Sequence, residues 1–369
     1  MPLGSRIMGR RATKVVFVTQ QFDPDHPALG TTIPQLAALA QRVDELVIVA
    51  DAIVPERLPP NARAHSFRAP TKLGRGLRFY AALARELNGL RGGAVIAHMC
   101  PVYAVLAAPL VRPARIPLVL WYTHWKDHWV VRLAERLATA VVSVDRLSFP
   151  FASRKLLATG QAIDVAHFPP RGPEPAGGPL RVVVLGRYSP AKGLETVLRA
   201  AALALDAGVD LRVELHGPAF NELERKYRSG LEPLVDNLGL RDVVELGDAV
   251  GRDELPAVLA RSDVLVNNAR GGADRIVYEA AASGIPVLAS NPAHENLVEP
   301  DAFFGHEDAE ALAARLAEVA ALSPAERAAR GAELRERVLL GHSVDSWSDG
   351  LLRAAGLSST AAGGSVGSR

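Results

Sequence analysis

The chain has 369 residues, 49% hydrophobic and 22% charged, which suits two domains and excludes a largely disordered polymer. A single cysteine, Cys100, excludes an intramolecular disulfide and a cysteine-built zinc site, and no apolar run approaches the roughly 20 residues of a membrane span. The net charge of +2 conceals a division: residues 1–165 carry 21 Lys+Arg against 11 Asp+Glu, residues 166–369 carry 21 against 29. At the N-terminus Arg6, Arg10, Arg11 and Val15–Val18 mimic a signal peptide, but Thr19, Gln20 and Asp23 cut the apolar stretch short. The expectation is a cytoplasmic protein.

In chain order, short β-branched runs alternate with helical segments. Lys14–Thr19, Leu46–Ala50, Ala94–Ala97, Pro117–Trp121 and Ala140–Val144 read as buried strands. Helices are expected over Ile33–Arg42, with Thr31 or Thr32 as its cap and Pro34 in its opening turn, and over Leu73–Leu90. The pattern restarts with Arg181–Leu185, Leu211–Leu215, Val243–Leu246, Asp263–Asn267 and Ile285–Ala289. Such runs imply parallel sheets covered on both faces. The fold class is therefore α/β, with two doubly wound domains whose strand ends face a cleft, where ligands of such sheets bind. The expected bounds are an acceptor-binding domain over 1–167, a Pro/Gly-rich linker over 168–180, a ligand-binding domain over 181–345, and a helix with a disordered tail over 346–369.

Much of the positive excess lies in Arg63, Arg68, Lys72, Arg75, Arg78, Arg85 and Arg91, against Glu86 alone. Leu73, Leu77, Phe79, Tyr80, Leu83 and Leu87 share this segment at roughly helical spacing. It reads either as a basic amphipathic helix for an anionic membrane surface or as the solvated face of a core helix. No recognition motif accompanies it, so nucleic acid is not an expected partner.

Two segments carry chemistry. Gly186-Arg187-Tyr188-Ser189-Pro190-Ala191-Lys192-Gly193 follows a strand and opens a helix. Its glycines admit a ligand to the backbone, the helix N-terminus favours an anion, and Arg187 and Lys192 add two cations. Arg270-Gly271-Gly272-Ala273-Asp274-Arg275-Ile276-Val277-Tyr278-Glu279 follows another strand and leads through Gly284-Ile285-Pro286-Val287 into the next. Glu279, about one turn inside that helix, has acceptors suited to sugar hydroxyls. Elsewhere, His98 and His124 each follow a predicted strand, and Asp23-Pro24-Asp25 reads as a turn.

With Leu215-His216-Gly217-Pro218 and Leu246-Gly247-Asp248-Ala249-Val250, these segments resemble the family-four retaining glycosyltransferases of the GT-B fold, most strongly from Arg181 to Leu297. The resemblance implies two Rossmann-like domains and transfer of a sugar from a nucleoside-diphosphate sugar to a hydroxyl acceptor, such as a cell-envelope lipid or glycan. It implies that Arg187 and Lys192 bind the diphosphate, that Glu279 holds the ribose, that Gly186 and Gly217 line the donor site, and that His124 contacts the reacting sugar. Gly30 and His98 join the acceptor side. No cofactor and no metal are implied. The family's earlier glutamate is replaced here by Gly271, so Asp274 or Arg275 is expected to take over sugar or phosphate contacts. A non-catalytic sugar-nucleotide-binding module is the rival from another class. A phosphorylase or a sugar-nucleotide epimerase is the rival enzyme.

Overall fold

The computed structural model describes residues 13–26, 29–172 and 177–358. The N-terminal arginines, residues 173–176 of the proline-rich stretch and the tail from residue 359 lie outside them. Chain contacts divide into two units, residues 1–162 with 344–369, and residues 163–343.

The first unit runs β1 (Lys14–Val18), β2 (Gln21–Phe22), α1 (Thr32–Ala40), β3 (Glu45–Ala50), β4 (Ala52–Ile53), β5 (Ala62–Ser66), α2 (Lys72–Leu87), β6 (Ala94–His98), α3 (Pro101–Val111), β7 (Leu118–Trp121), α4 (Trp129–Leu137), β8 (Ala140–Ser143) and β9 (Leu156–Ala158). Seven strands form one parallel sheet in the order β5-β3-β1-β6-β7-β8-β9, and β2 and β4 pair separately. The order reverses between β1 and β6, the switch point of a doubly wound sheet. Alternate residues of β1 point to opposite faces: Val16 and Val18 meet α2, α3 and α4, while Val15 and Phe17 meet α1.

The second unit runs β10 (Leu180–Leu185), α5 (Leu194–Asp206), β11 (Leu211–His216), α6 (Glu222–Asn237), β12 (Val244–Gly247), α7 (Leu255–Ala260), β13 (Val264–Asn267), α8 (Arg275–Ala282), β14 (Val287–Ala289), α9 (Ala309–Ala321) and α10 (Pro324–Gly341). Its five parallel strands are ordered β12-β11-β10-β13-β14, with the switch point between β10 and β13. The chain then returns to the first unit as α11 (Val344–Ala354), which packs on α1 and buries Trp347 against Phe17 and Trp121.

Several expectations shift. The units part at Ala162/Ile163 rather than within 168–180. Phe168 is fully buried, and the Arg171 amide donates to the Ser283 carbonyl at 2.8 Å while its guanidinium pairs with Asp263. The start of the proline-rich stretch therefore packs in the second unit. Thr31 occupies the N-cap of α1 but makes no side-chain cap bond, because its backbone is already helical there. The amphipathic segment is α2, capped by Thr71, whose Oγ1 accepts from the Gly74 amide. Apolar periodicity does not reveal β5 and β9, because Ala-Arg-Ala-His-Ser is a half-exposed strand at the sheet's edge and β9 has three residues.

Glu86 does not belong to the solvated face of α2. It is 3% exposed and accepts from Lys14 Nζ at 2.5 Å, Arg63 Nη2 at 2.5 Å and His65 Nε2 at 2.7 Å. Burial alone would raise its pKa, but the bonds from Arg63, Lys14 and His65 and the Lys14 charge hold it down at about 2. Stability from this carboxylate is therefore present above its unfolded value near 4.5 and is lost as the pH falls from there toward 2. Thermal unfolding followed between about pH 6 and 2.5 should show that acid limb in the native chain, and Glu86→Gln, with no proton to take up, should flatten it.

Candidate functional site

The second sheet's switch point gathers the residues with the most chemistry. The chain leaves β10 at Gly186 and enters α5 through Gly193. The φ of Gly193 is +50°, and a Cβ there would lie 2.5 Å from Asn268 Nδ2, so only glycine fits. Asn268 Nδ2 donates to the Gly193 carbonyl at 2.8 Å, tying the loop after β13 to the start of α5. A Cβ at Gly217 would overlap the Gly186 carbonyl, so the loops after β10 and β11 meet backbone to backbone at this point.

Lys192 extends over Gly186 and forms an ion pair with Asp274, the residue that opens α8. Asp274 Oδ2 also accepts from Asn267 Nδ2 at 2.9 Å, and the Asp274 amide donates to His294 Nε2 at 3.4 Å. Burial would raise the Asp274 carboxyl, but the Lys192 charge and the bonds from Asn267 and Lys192 outweigh it and hold it below the usual carboxylate range. His294 is fully buried and lies edge-on to Tyr278, and burial lowers its pKa to about 4, so it is neutral. Its Nδ1 has no hydrogen-bond partner among the described residues.

One turn further along α8, Glu279 is 4% exposed and its Oε1 accepts from Arg275 Nε at 2.9 Å and Arg252 Nη1 at 3.1 Å. Arg275 is thus engaged with Glu279 on its own helix, an i,i+4 pair, and it is Asp274 that faces Lys192. Arg187 turns elsewhere, to Glu224 of α6 at 3.2 Å, with its side chain half exposed. The structure therefore gathers Gly186, Lys192 and Asp274 in one cluster and Arg275 and Glu279 in another, and it gives the two expected phosphate cations separate carboxylate partners. Gly271 has φ +116°, and its carbonyl and that of Gly272 accept from Asn291 Nδ2 at 3.0 and 3.2 Å. A glutamate at 271 would be strained in that backbone.

Asn267, Asn268, Arg252, Asn291 and His294 belong to none of the motifs read from the sequence. The paired asparagines at a strand end carry a usable signal, since buried amides there must find partners, whereas nothing local marks Arg252 or His294. A cavity of about 480 Å³ lined by Pro286, Val287, Arg330 and Leu334 lies at the amino end of β14, the opposite edge from this chemistry.

In the first unit His98 is 2% exposed, bonded to Thr19 Oγ1 at 2.8 Å and stacked on Trp121 at 4.5 Å. Burial lowers its pKa to about 3. It is a neutral core side chain with no surface to offer an acceptor, which corrects its expected role. His124 is exposed, its Nδ1 accepts from the Lys126 amide at 2.9 Å, and its ring stacks on Trp125. Gly30 bonds through its amide to the His26 carbonyl at 2.9 Å, and a Cβ there would overlap the Pro24 carbonyl. The Asp23-Pro24-Asp25 turn is present, closed by the Asp25 amide on Asp23 Oδ1 at 3.0 Å.

Residues 170–336 match the family "Glycosyl transferases group 1". Over that segment, a little under half of the chain, the sequence is similar to the group 1 glycosyl transferases. The chain is 30% identical over 195 residues to the putative colanic acid biosynthesis glycosyltransferase WcaL of Escherichia coli K12, a match covering 50% of this chain and 47% of that protein. It is 35% identical over 112 residues to the D-inositol 3-phosphate glycosyltransferase of Streptomyces avermitilis, covering 29% and 24%. The chain spans at most about half the length of these curated relatives. Among solved structures, the Anabaena protein HepE in complex with UDP and glucose matches with a TM-score of 0.69 at 17% identity, covering 93% of this chain and 99% of that one. A Rickettsia africae glycosyltransferase matches with a TM-score of 0.72 at 13% identity, covering 94% and 98%. The chain has the α/β fold of the GT-B glycosyltransferase structures.

Proposed function

We propose that the chain transfers a sugar from a nucleoside-diphosphate sugar to a hydroxyl acceptor with retention of anomeric configuration, the acceptor being a lipid or glycan of the cell envelope and the work being done in the cytoplasm at the inner membrane face. The observation that carries the reading is Lys192, held over Gly186 at the carboxyl edge of β10, opposite the opening of α8. Ligands of open α/β sheets bind at that edge, and the amide end of a helix favours an anion. As the sugar–phosphate bond breaks, negative charge grows on the departing diphosphate. Lys192 and the α8 amides stabilise it there, and Arg187 adds a second charge once it exchanges Glu224 for phosphate. Glu279 has roughly four acceptor positions, two of them used by Arg252 and Arg275, and the remainder suit ribose hydroxyls. Asp274 accepts a hydroxyl of the donor sugar in place of the glutamate that Gly271 cannot supply, and His124 meets the reacting sugar. The relative HepE was solved with UDP and with UDP-glucose, which supports a nucleotide sugar as donor.

The Lys192–Asp274 pair and Gly271 favour a second reading, a module that binds the sugar nucleotide without turning it over. Incubating the chain with UDP-, GDP-, ADP- and dTDP-sugars, with and without envelope lipid extract, and measuring released nucleoside diphosphate separates the two. Release stimulated by acceptor is expected. Saturable binding with no release under any condition would overturn transfer and leave the module.

A further inference from the structure

We infer that the edge of the first unit where α2, α3 and α4 begin is a docking surface for an anionic lipid bilayer. This deepens the membrane half of the reading above and is independent of its chemistry. All strands of the sheet run parallel, so the helices that follow β5, β6 and β7 start at one edge, and α2 packs on α3 and α3 on α4. On α2, Leu73 and Leu77 are 75% and 63% exposed and lie one turn apart. Val102 is exposed in the first turn of α3. Trp129, the first residue of α4, is 74% exposed, and Trp125 in the preceding loop is 61% exposed. A single exposed leucine means nothing, but two leucines and two tryptophans exposed about the starts of α2 and α4, at one edge of the unit, call for a partner.

The charge around it identifies that partner. Lys72, Arg75 and Arg78 are exposed on α2 and Lys126 stands between the tryptophans. The one carboxylate in residues 63–91, Glu86, is buried in the last turn of α2, away from its exposed start, and directs its charge to Lys14, Arg63 and His65. Arg75 faces Asp51 at 3.6 Å and Arg132 pairs with Asp127, so the carboxylates beside the patch already have cations. Apolar side chains that enter the acyl boundary, indoles that prefer the headgroup level and lysines and arginines at the same edge are what an anionic bilayer surface attracts. Exposed indoles also stack on sugars, but leucines flanked by cations do not serve that purpose.

The test is flotation of the full chain with vesicles of about 30% phosphatidylglycerol in phosphatidylcholine and with pure phosphatidylcholine, at about 0.1 M salt. Recovery with the anionic vesicles should exceed that with the neutral ones by at least about tenfold, fall in about 1 M salt, and be accompanied by a blue shift of tryptophan emission. Leu73→Ser with Leu77→Ser, and separately Trp129→Ser, should each weaken it by at least about fivefold, with melting temperature and nucleotide binding unchanged. No flotation, equal recovery on both vesicles, or wild-type recovery by the leucine variant would overturn the proposal. So would indole quenching by a soluble oligosaccharide without vesicle binding, which would assign the patch to a glycan. Nucleotide release measured on the same preparations reports on the transfer chemistry, so either reading can fail alone.

Discussion

Lys192→Ala is expected to lower sugar transfer by about 10²–10³-fold, the loss of about 2.7–4 kcal/mol typical of removing one aligned charge stabiliser from a transition state. The effect should fall on kcat and on nucleoside-diphosphate affinity together, because the leaving group carries the charge before and after the bond breaks. Lys192 is one of the two cations the sequence places on the strand-to-helix turn, and in the structure its side chain crosses Gly186 toward the opening of α8. The alanine variant also leaves the Asp274 carboxylate with Asn267 as its remaining side-chain donor among the described residues, and an uncompensated, largely buried charge destabilises the fold. The double variant with Asp274→Asn removes that burden. Isothermal titration with UDP, GDP and ADP on both variants, beside their melting temperatures, separates lost binding from lost folding. Arg187→Ala should cost less, about tenfold, because Arg187 is half exposed and first has to leave Glu224. Should Arg187→Ala abolish binding while Lys192→Ala leaves it intact, the phosphate site lies toward α6 and not toward α8.

How much of this was legible before the structure depends on which interaction made each feature. Strands such as Val182–Leu185 and Leu46–Ala50 are covered on both faces, so they read as unbroken apolar runs. The Gly186 and Gly193 turn was readable because only glycine tolerates its backbone. The edge strand Ala62–Ser66 was not, since half its surface meets solvent and its composition gives no period. Within the site, sequence order put Arg187 and Lys192 five residues apart and suggested one grip. Their partners come from α6 and α8, more than thirty residues away in the chain, and only folding reveals that they diverge. His98 shows the same limit from the other side. A histidine ending a strand at a switch point fits a ligand site, yet the contacts that seal it, Thr19 and Trp121, come from two other strands' ends.

Asp274→Asn is the substitution whose sign decides what the departure at Gly271 means. In the native chain a carboxylate occupies the face of Lys192 that a phosphate needs, and its pKa is held below the usual carboxylate range, so it is ionised at neutral pH. Two unit charges about 4 Å apart interact by up to about 4 kcal/mol at an effective dielectric of about 20, part of which is returned when the pair separates in solvent. Removing one charge while keeping the shape should therefore tighten nucleoside-diphosphate binding by about 5- to 30-fold, corresponding to about 1–2 kcal/mol. Turnover should move the other way, falling about 10- to 100-fold if the carboxylate accepts a sugar hydroxyl, since a bond to a charged acceptor contributes about 1.5–3 kcal/mol. Titration calorimetry with free nucleotide and steady-state release from the sugar nucleotide measure the two separately. Tighter binding with unchanged release would make Asp274 a counter-ion only, displaced when the donor arrives. Weaker binding would mean that Asp274 holds Lys192 in place, and His294, whose ring accepts the Asp274 amide, would then be the residue that fixes the carboxylate's direction. His294→Ala should in that case reproduce the binding loss, whereas under the competition reading it leaves nucleotide affinity at or above the native value.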